Sequence, residues 1–522
     1  MTDQIPAQIV GHVAGQASAM TARMAQDLAI GSPLLALFMI SLIPLLIKVV
    51  RGNREPNPFS TLTYGILGLV VAAGLTVAIG GGVKSTLAFS DAIVFDGISV
   101  WMSCLVYFIA GVALMLGYDH VLTRGRQFSE WTFLMLSSTI GMIILLMAND
   151  LIIAFIGIET MSLCLYILVA MSKEEVLSKE ASFKYFVLGS FASAIFLYGI
   201  ALIYGTVGAT TFPRIAEQAA TLLTTNRLFL VGMSMTILGF AFKVSLFPLH
   251  SWTPDVYQGA PTPLTAFMST AVKAATFVAF LRFFHIPSLV GSSALFFIVT
   301  WIAALTMIVG NVAAVMQDNL KRMLAYSSVA HSGYAFLGLI AAGFGDDFER
   351  GASALLFYLF SYSLMTLGSF ALVALYEKTE NASVNVQDLR GLGSRRPWLA
   401  LSFSILMLSL AGIPPTLGFF GKFYVFTAVL GQDMSWLAIW AAVGSMISVY
   451  YYLRPIVTMY MSDDAPAEIL DGNLMTKWTL VASAALIVVL GIFSSPVTKA
   501  IHRAVQTTSV NTVTPSVAGV GN

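Results

Sequence analysis

Apolar stretches of about twenty residues recur along the whole chain, and no other feature constrains its fold as strongly. A helix needs about 20 apolar residues to cross a hydrocarbon core about 30 Å thick. Fourteen segments of the 522-residue chain approach that length. They lie near residues 32–49, 62–83, 94–117, 131–148, 150–171, 184–206, 228–249, 262–284, 294–316, 323–343, 352–376, 399–430, 434–458 and 474–496.

Charged residues are too few for a water-soluble surface. They make up 10% of the chain, whereas soluble domains carry roughly 25%, and the mean hydropathy is +0.84. We therefore predict an all-α membrane protein with about fourteen transmembrane helices. The net charge of +1 gives no electrostatic reason to expect a nucleic acid as a partner.

Helix breakers interrupt two of the predicted spans. Lys243 lies five residues before Pro248, and Pro414 and Pro415 come shortly before Lys422. Proline removes a backbone hydrogen bond, and the freed carbonyl groups are tolerated in a membrane only where protein or water satisfies them. Incidental proline kinks are the simpler alternative to a functional break.

The interrupted spans are the seventh and the twelfth, so they are five spans apart, as a pair of inverted five-helix repeats predicts. The predicted units are 1–31, an N-terminal segment of unassigned role; 32–130, the first three helices; 131–290, helices four to eight (first repeat); 291–460, helices nine to thirteen (second repeat); and 461–522, the last helix and a tail that frays after Ala500.

The distribution of Lys and Arg predicts the orientation. Of 27 such residues, 16 fall in one set of connections, including Lys321 and Arg322, and 8 in the other, including Arg282. Because positive charge favours the cytoplasmic side, we predict a bacterial inner-membrane protein with both termini in the periplasm. The three remaining basic residues lie inside spans.

Those three residues are Lys243, Lys273 and Lys422, and Glu159 lies inside a span as well. A charge at the bilayer centre costs about 2.5–3.5 kcal/mol on the most lenient scale. An ion pair that locks helices together is one explanation, but one glutamate cannot pair with three lysines. A buried lysine whose acidic partner moves can bind and release a proton. These four residues are therefore candidates for proton translocation.

Two histidines are further candidates. His250 follows Lys243 by seven residues, but Pro248 makes a shared helix face doubtful. His331 lies mid-span in LAYSSVAHSGY, a run whose hydroxyl groups could hold a file of water. A histidine satisfied within the core is the equally weighted alternative for both.

The chain has no recognisable redox centre. Its two cysteines, Cys104 and Cys164, fall inside apolar runs, and it has no CxxC, haem motif or Gly-rich phosphate loop. We predict neither a metal site nor a cofactor on this chain.

Three long motifs carry a family resemblance: FKVSLFPLHSWTPDVYQGAPTP, DNLKRMLAYSSVAHSGY and LSLAGIPPTLGFFGKFY. In this order they resemble the proton-conducting, antiporter-like membrane subunits of respiratory complex I, the NADH-quinone oxidoreductase. Lys422 and the WTPDVYQGAP wording are most similar to the subunit N branch, because the sister subunits typically carry Glu where this chain has Lys422. The resemblance covers about residues 90–460.

The resemblance implies a role for each buried charge. Glu159 matches the fifth-helix glutamate that pairs with the seventh-helix lysine, here Lys243. Lys273 matches the central eighth-helix lysine and Lys422 the twelfth-helix lysine near the outlet. NADH, FMN, iron–sulfur clusters and quinone would then belong to partner subunits. The partners would be other complex I membrane subunits, sister antiporter-like subunits among them, and membrane lipid.

Two rival functions come from other classes. The first is a subunit of a stand-alone multisubunit cation/proton antiporter. The second is a passive membrane anchor in which the four charges are structural pairs.

Overall fold

A computed structural model describes residues 7–81, 85–124, 127–171, 175–285, 293–377, 383–431, 434–462 and 474–509. These residues form twenty α-helices and one short antiparallel hairpin. The helices of the first half are α1 (Ala7–Val50), α2 (Pro58–Gly80), α3 (Gly97–Arg124), α4 (Phe128–Leu146), α5 (Leu151–Ala170), α6 (Val176–Val207), α7 (Phe212–Thr225), α8 (Arg227–Lys243), α9 (Trp252–Gly259), α10 (Thr262–Phe267) and α11 (Lys273–Phe284).

The helices of the second half are α12 (Ser293–Val315), α13 (Leu320–Phe344), α14 (Phe348–Tyr376), α15 (Leu392–Arg395), α16 (Pro397–Ala411), α17 (Leu417–Leu430), α18 (Ser435–Tyr460), α19 (Leu474–Ile492) and α20 (Ser495–Ser509). The hairpin strands are β1 (Thr86–Ala88) and β2 (Ile93–Phe95).

Eleven helices of the described residues are long and apolar enough to cross a membrane, or twelve if the bent pair α7 and α8 forms one span. The predicted class, an all-α multi-pass membrane protein, is confirmed. The predicted count of fourteen is not confirmed. Helices α16 and α17 have only 15 and 14 residues, and each alone is too short to cross the hydrocarbon core.

The centre of the molecule is the continuous helix Thr262–Phe284, whose most apolar window is fully buried. It consists of α10, a π-helical turn at Met268–Val272 and α11. Helices α3, α4, α13 and α14 pack around it. A π-turn shifts the register of the residues that follow, and here the first residue after it is Lys273.

Both segments that the sequence marks as interrupted leave the helical path. Helix α8 ends at Lys243, and α9 begins only at Trp252. Helix α16 ends at Ala411, and α17 begins at Leu417. The predicted prolines lie in these two non-helical segments, because proline cannot continue a helix hydrogen-bond ladder. That these are broken seventh and twelfth spans of two inverted repeats stays a prediction.

Gly412 shows why the second break needs glycine. Its φ is +87°, in the left-handed region that favours residues without a Cβ. A Cβ at this position would also approach Lys422 Cδ to 2.9 Å. The glycine therefore lets the backbone turn directly against the lysine side chain.

Helices extend beyond the predicted spans at both ends of the described chain. The segment predicted as 1–31 is helical from Ala7 onward and continues into the first predicted span as one helix. The predicted frayed tail after Ala500 is instead helix α20 as far as Ser509, because Ile501 and Val505 are four residues apart and bury one apolar face. Residues 510–522 lie outside the described residues.

Candidate functional site

The three lysines predicted from the sequence are all buried in the helix bundle. Lys243 and Lys273 are each 2% exposed, and Lys422 is 5% exposed. Among the described residues, no Asp or Glu oxygen lies within 4.0 Å of any of the three ammonium groups. Each ammonium group is satisfied instead by neutral oxygen atoms, and a neutral acceptor holds a lysine without fixing its charge.

Lys243 is the last residue of α8 and faces α5. Its Nζ donates to Ser162 Oγ at 2.8 Å and to Tyr166 OH at 3.4 Å, and it lies 5.7 Å from the centre of the Tyr166 ring. Glu159 lies one turn before Ser162 on the same face of α5. It is half-buried and accepts a short hydrogen bond from Ser193 of α6. The α5 hydroxyl that holds Lys243 is therefore three residues after Glu159, the predicted acidic partner.

Lys273 follows the π-turn and faces α13. Its Nζ donates to the carbonyl oxygen of Ser328 at 2.6 Å, to Ser328 Oγ at 2.5 Å and to Ser332 Oγ at 2.7 Å. Tyr362 of α14 donates to the same Ser328 Oγ at 2.8 Å. Three acceptors saturate the three donors of an ammonium group, so Lys273 is held by two serines and no acid.

His331 lies on α13 between Ser328, which accepts from Lys273, and Tyr334, whose ring faces Lys422. Its Nδ1 is hydrogen-bonded to Tyr358 OH at 2.6 Å and its Nε2 to Tyr452 OH at 3.0 Å. Tyr452 OH also forms a short hydrogen bond with Ser327, the neighbour of Ser328. Both ring nitrogens thus face groups that can donate or accept, which is what a proton relay requires.

Lys422 lies on α17 and faces the break that precedes it. Its Nζ donates to the carbonyl oxygen of Ala411 at 2.9 Å and to Ser445 Oγ at 2.9 Å. The ammonium group lies 5.1 Å from the centre of the Tyr334 ring, an arrangement that stabilises a cation. Ala411 is the last residue of α16, so the broken helix supplies a backbone acceptor that an intact helix would have used internally.

His250 is the one predicted residue that the structure does not join to the others. It is half-buried in the segment between α8 and α9, and its ring lies 5.8 Å from the ring of Phe247. Its Nδ1 has no hydrogen-bond partner among the described residues. The proline break at Pro248 removes the shared helix face that would have brought it toward Lys243.

Sequence reasoning misses two buried ion pairs. Lys321 pairs with Glu377 at 3.1 Å, and the two side chains are 2% and 1% exposed. Arg282 pairs with Asp96 through two hydrogen bonds of 2.8 Å. Both basic residues fall at span ends in the sequence, where they are expected in connections. Only their partners, 56 and 186 residues away, would have indicated burial.

Asp96 precedes α3 and remains ionised in this environment. Burial alone would raise the pKa of its carboxyl group, but the charge and hydrogen bonds of Arg282, with further bonds from Ser99, hold that pKa below its ordinary value. This pair therefore behaves as a permanent clamp at neutral pH.

Within the described residues, no three His, Cys, Asp or Glu side chains come together as a metal site. The residues from Glu159 to Lys422 are titratable groups, with the hydroxyl groups of serines and tyrosines and the imidazole of His331 among them.

Known proteins match almost the whole chain. The family described as NADH:quinone oxidoreductase/Mrp antiporter, TM, matches residues 148–448. NADH-quinone oxidoreductase subunit N of Bdellovibrio bacteriovorus is 54% identical over 91% of this chain and 98% of its own length. The same-named protein of Trichlorobacter lovleyi is 38% identical over 91% of this chain and 96% of its own length.

Solved structures match as well. A chain of respiratory complex I from Thermus thermophilus with bound Aureothin has a TM-score of 0.75 and 32% identity, over 90% of this chain and 100% of that chain. A chain of the Mrp complex from Dietzia sp. DQ12-45-1b has a TM-score of 0.74 at 20% identity, over 94% of this chain and 98% of that chain, which is a likeness of fold alone.

Proposed function

This chain belongs to the subunit N family of NADH-quinone oxidoreductases, and on that premise we propose that it moves protons along a row formed by Glu159, Lys243, Lys273 and Lys422. The family makes it a membrane subunit of a multisubunit complex, with an antiporter-like fold that supports proton translocation. The row of residues and the way it is coupled to electron transfer are our proposal.

The energy for translocation comes from reactions on partner subunits. NADH is oxidised there through FMN and iron–sulfur clusters, and quinone is reduced. Sister antiporter-like subunits are the neighbours we propose in the bacterial inner membrane, with both termini of this chain in the periplasm. The chain then acts as the translocase part of an enzyme whose redox chemistry lies elsewhere.

The first step is a change at Glu159. A signal from a neighbouring subunit moves or recharges this carboxylate, which is half-buried and bound to Ser193 of α6. Loss of its negative charge lowers the stability of the ammonium form of Lys243, because a nearby opposite charge favours the charged form. Lys243 then gives up a proton toward Lys273.

The second step carries the proton from Lys273 to Lys422. Ser328 accepts from Lys273, and the adjacent Ser327 is joined to His331 through Tyr452. His331 can take a proton on one ring nitrogen and release one from the other. Lys422 receives the proton beside the broken helix end at Ala411 and releases it outward through water. His250 lies in the segment that follows Lys243, and no step of this scheme is assigned to it.

One observation carries the proposal: three ammonium groups lie buried in the bundle with neutral acceptors in place of acids. A purely structural charge would be paired, because an unpaired buried charge is strongly unfavourable. A lysine that alternates between its charged and neutral forms is stabilised better by hydroxyl and carbonyl oxygens, since these groups accommodate both forms.

The test is Lys273→Met in the assembled complex, with Lys179→Met as the matched control because Lys179 is exposed on α6. We expect pumping in inverted vesicles to fall about 10²-fold or more, because a positioned proton-transfer group typically contributes about 10²–10⁴-fold. Native gels check assembly, and quinone reduction is measured in the same vesicles. Pumping equal to that of the control would overturn the proposal.

The rival function, a stand-alone cation/proton antiporter, is tested by composition. Mass spectrometry of the gently solubilised native complex should find NADH dehydrogenase and iron–sulfur subunits together with this chain. A complex containing other antiporter subunits and no redox subunit would establish the rival instead.

A further inference from the structure

The Tyr334 ring beside Lys422 is held in place by an asparagine on another helix. Tyr334 lies on α13 and is 1% exposed, and its hydroxyl oxygen accepts a hydrogen bond of 3.0 Å from Nδ2 of Asn311 on α12. The Asn311 side chain is fully buried. Because a buried carboxamide is unfavourable unless its donors and its acceptor are satisfied, a buried asparagine requires partners in the surrounding helices.

Every polar atom of the Asn311 side chain has such a partner. Its Nδ2 also donates to the carbonyl oxygen of Met307 at 2.7 Å, one turn earlier on α12, and its Oδ1 accepts from Tyr451 OH of α18 at 2.9 Å. A carbonyl oxygen can only accept, so the Met307 contact fixes which end of the carboxamide carries the hydrogens. Tyr451 therefore donates and Tyr334 accepts, and the carboxamide has a single orientation.

Helix α18 approaches this hydrogen bond with bare backbone. A Cβ at Gly444 would lie 2.9 Å from both Asn311 Nδ2 and Tyr334 OH, so the absence of a side chain there lets α18 pack against the pair. The next residue, Ser445, accepts from Lys422 Nζ at 2.9 Å. One segment of α18 thus contacts the asparagine–tyrosine pair and the lysine together.

The ring is the neighbour of Lys422 that responds most to its charge. An ammonium group has three donors, and Ala411 and Ser445 accept two hydrogen bonds from this one. The centre of the Tyr334 ring lies 5.1 Å from Nζ. The face of an aromatic ring carries negative charge density, so it stabilises the ammonium form over the neutral amine. The position of the ring therefore affects how firmly Lys422 holds its proton.

Other titratable side chains lie near this site, on three of the helices packed against α17. They are His331 and Tyr334 on α13, Tyr358 and Tyr362 on α14, and Tyr451 and Tyr452 on α18. Arg350 of α14 contacts the far end of α17, at Thr427. Helix α16 has no titratable residue, and α19 has Lys477 near its start, whereas Gly491 near its end packs against Pro415. Among the described residues no Asp or Glu oxygen lies within 4.0 Å of Lys422 Nζ, so no acid competes with the ring.

We propose that Asn311 is a positioning residue for proton release at Lys422, acting through the Tyr334 ring that it holds beside the ammonium group. Tyr451 supports Asn311, and Gly444 leaves room for the contact. The inference rests on the proposed function, because it takes Lys422 as the last member of the row. The proton does not pass through Asn311, since a carboxamide neither gains nor loses a proton at physiological pH.

A purely structural hydrogen bond that joins α12, α13 and α18 is the alternative. Its loss would loosen the bundle and would lower assembly, or lower pumping by the same factor at every pH. The loss of a positioning residue has a different effect. Without the ring in place Lys422 gives up its proton at a lower pH, so the alkaline decline of pumping begins at a lower pH.

The experiment measures protons pumped per NADH across neutral and alkaline pH, in assembled complexes in inverted vesicles. Asn311→Leu removes the carboxamide at similar volume. Thr300→Val is the matched control, because Thr300 is also buried on α12 and its hydroxyl donates to carbonyl oxygens of its own helix. We expect the alkaline decline to move about one pH unit lower in Asn311→Leu, as the loss of a cation–π contact in a dry site predicts, and to stay at the wild-type pH in Thr300→Val. Native gels check the assembly of each variant.

A double variant tests whether Asn311 acts through the ring. Tyr334→Leu removes the ring and should shift the profile in the same direction. Asn311→Leu added to Tyr334→Leu should shift it no further, because two changes that remove one interaction are not additive. Tyr334→Phe removes only the oxygen that Asn311 holds, so it should give a smaller shift in the same direction.

Three results overturn the inference. The first is a wild-type pH profile in Tyr334→Phe and Asn311→Leu, and Tyr334→Phe decides alone if Asn311→Leu fails to assemble. The second is an equal loss of pumping at every pH, which indicates a structural bond. The third is a shift that adds fully in the double variant. The Lys422→Met variant is a separate test: if it stops pumping while the Asn311 and Tyr334 variants keep the wild-type profile, only the role of Asn311 fails and the lysine row remains.

Discussion

The half of the row around Glu159 and Lys243 differs from the half around Lys273, His331 and Lys422. The first half has a carboxylate, Glu159, which lies on α5 and is hydrogen-bonded to α6, and the apolar windows of these two helices are only 50% and 33% buried. The second half has no acid in contact and lies against α13 and α14, where nearly every residue is buried. The Glu159 side of the first half is therefore open to a neighbouring subunit, whereas Lys273 and His331 in the second half are enclosed.

This difference separates two tasks. A charge that responds to a neighbour has to lie near the surface of the bundle, and Glu159 is half-buried there. A path that carries protons without leaking them has to be enclosed, and hydroxyl groups with one imidazole can bind a proton transiently without an ion pair that would trap it. We therefore expect substitutions in the second half to act on proton carriage and substitutions at Glu159 to act on its control.

The largest effect is expected where a lysine becomes an arginine. This exchange tests whether both halves of the row need a lysine that can become neutral. Lys243→Arg and Lys273→Arg keep the positive charge, but the guanidinium pKa exceeds about 12. Pumping should fall as far as in the corresponding alanine variants, which is measured as the membrane potential formed per NADH oxidised. Arginine variants that pump near the wild-type rate would show that a fixed charge is enough.

The next effect separates proton carriage from charge packing at Lys422. Lys422→Met leaves nothing to titrate, so pumping should stop. Lys422→Glu places an acid opposite the Ala411 carbonyl and the Tyr334 ring, both of which favour its protonated form, so it can still carry a proton and should pump in part. If charge packing alone mattered, the reversed sign would do more harm than the neutral methionine, and the same vesicle assay would show the opposite order.

Parts of this site follow from the sequence because their signals are local. The buried lysines are visible because a charge within an apolar run is rare, and the breaks are visible because proline acts on its own helix. Lys321 is read as part of a connection, since the burial that Glu377 and Thr262 provide depends on contacts across the fold. The same holds for Ser162, Ser193 and Tyr358, because serine and tyrosine are common in membrane helices and nothing local marks their partners.

The smallest effect is expected at Glu159. It tests whether Glu159 controls proton transfer while the rest of the row carries the protons. Glu159→Gln keeps the hydrogen bond to Ser193 and removes the charge, which acts on Lys243 from beyond 4.0 Å. Such a charge is worth on the order of 1 kcal/mol, or roughly fivefold in an equilibrium constant, so pumping should fall about fivefold while assembly and quinone reduction persist. Ser193→Ala is the companion variant: it keeps the charge, removes the hydrogen bond that holds it, and should reduce pumping less than Glu159→Gln does.

Wild-type pumping in Glu159→Gln would mean that the acid has no control over Lys243. The two halves would then be one continuous relay with an unused carboxylate at its edge. A loss as complete as that of Lys273→Arg would instead place Glu159 on the proton path itself, because removing an influence from outside the path weakens transfer without abolishing it.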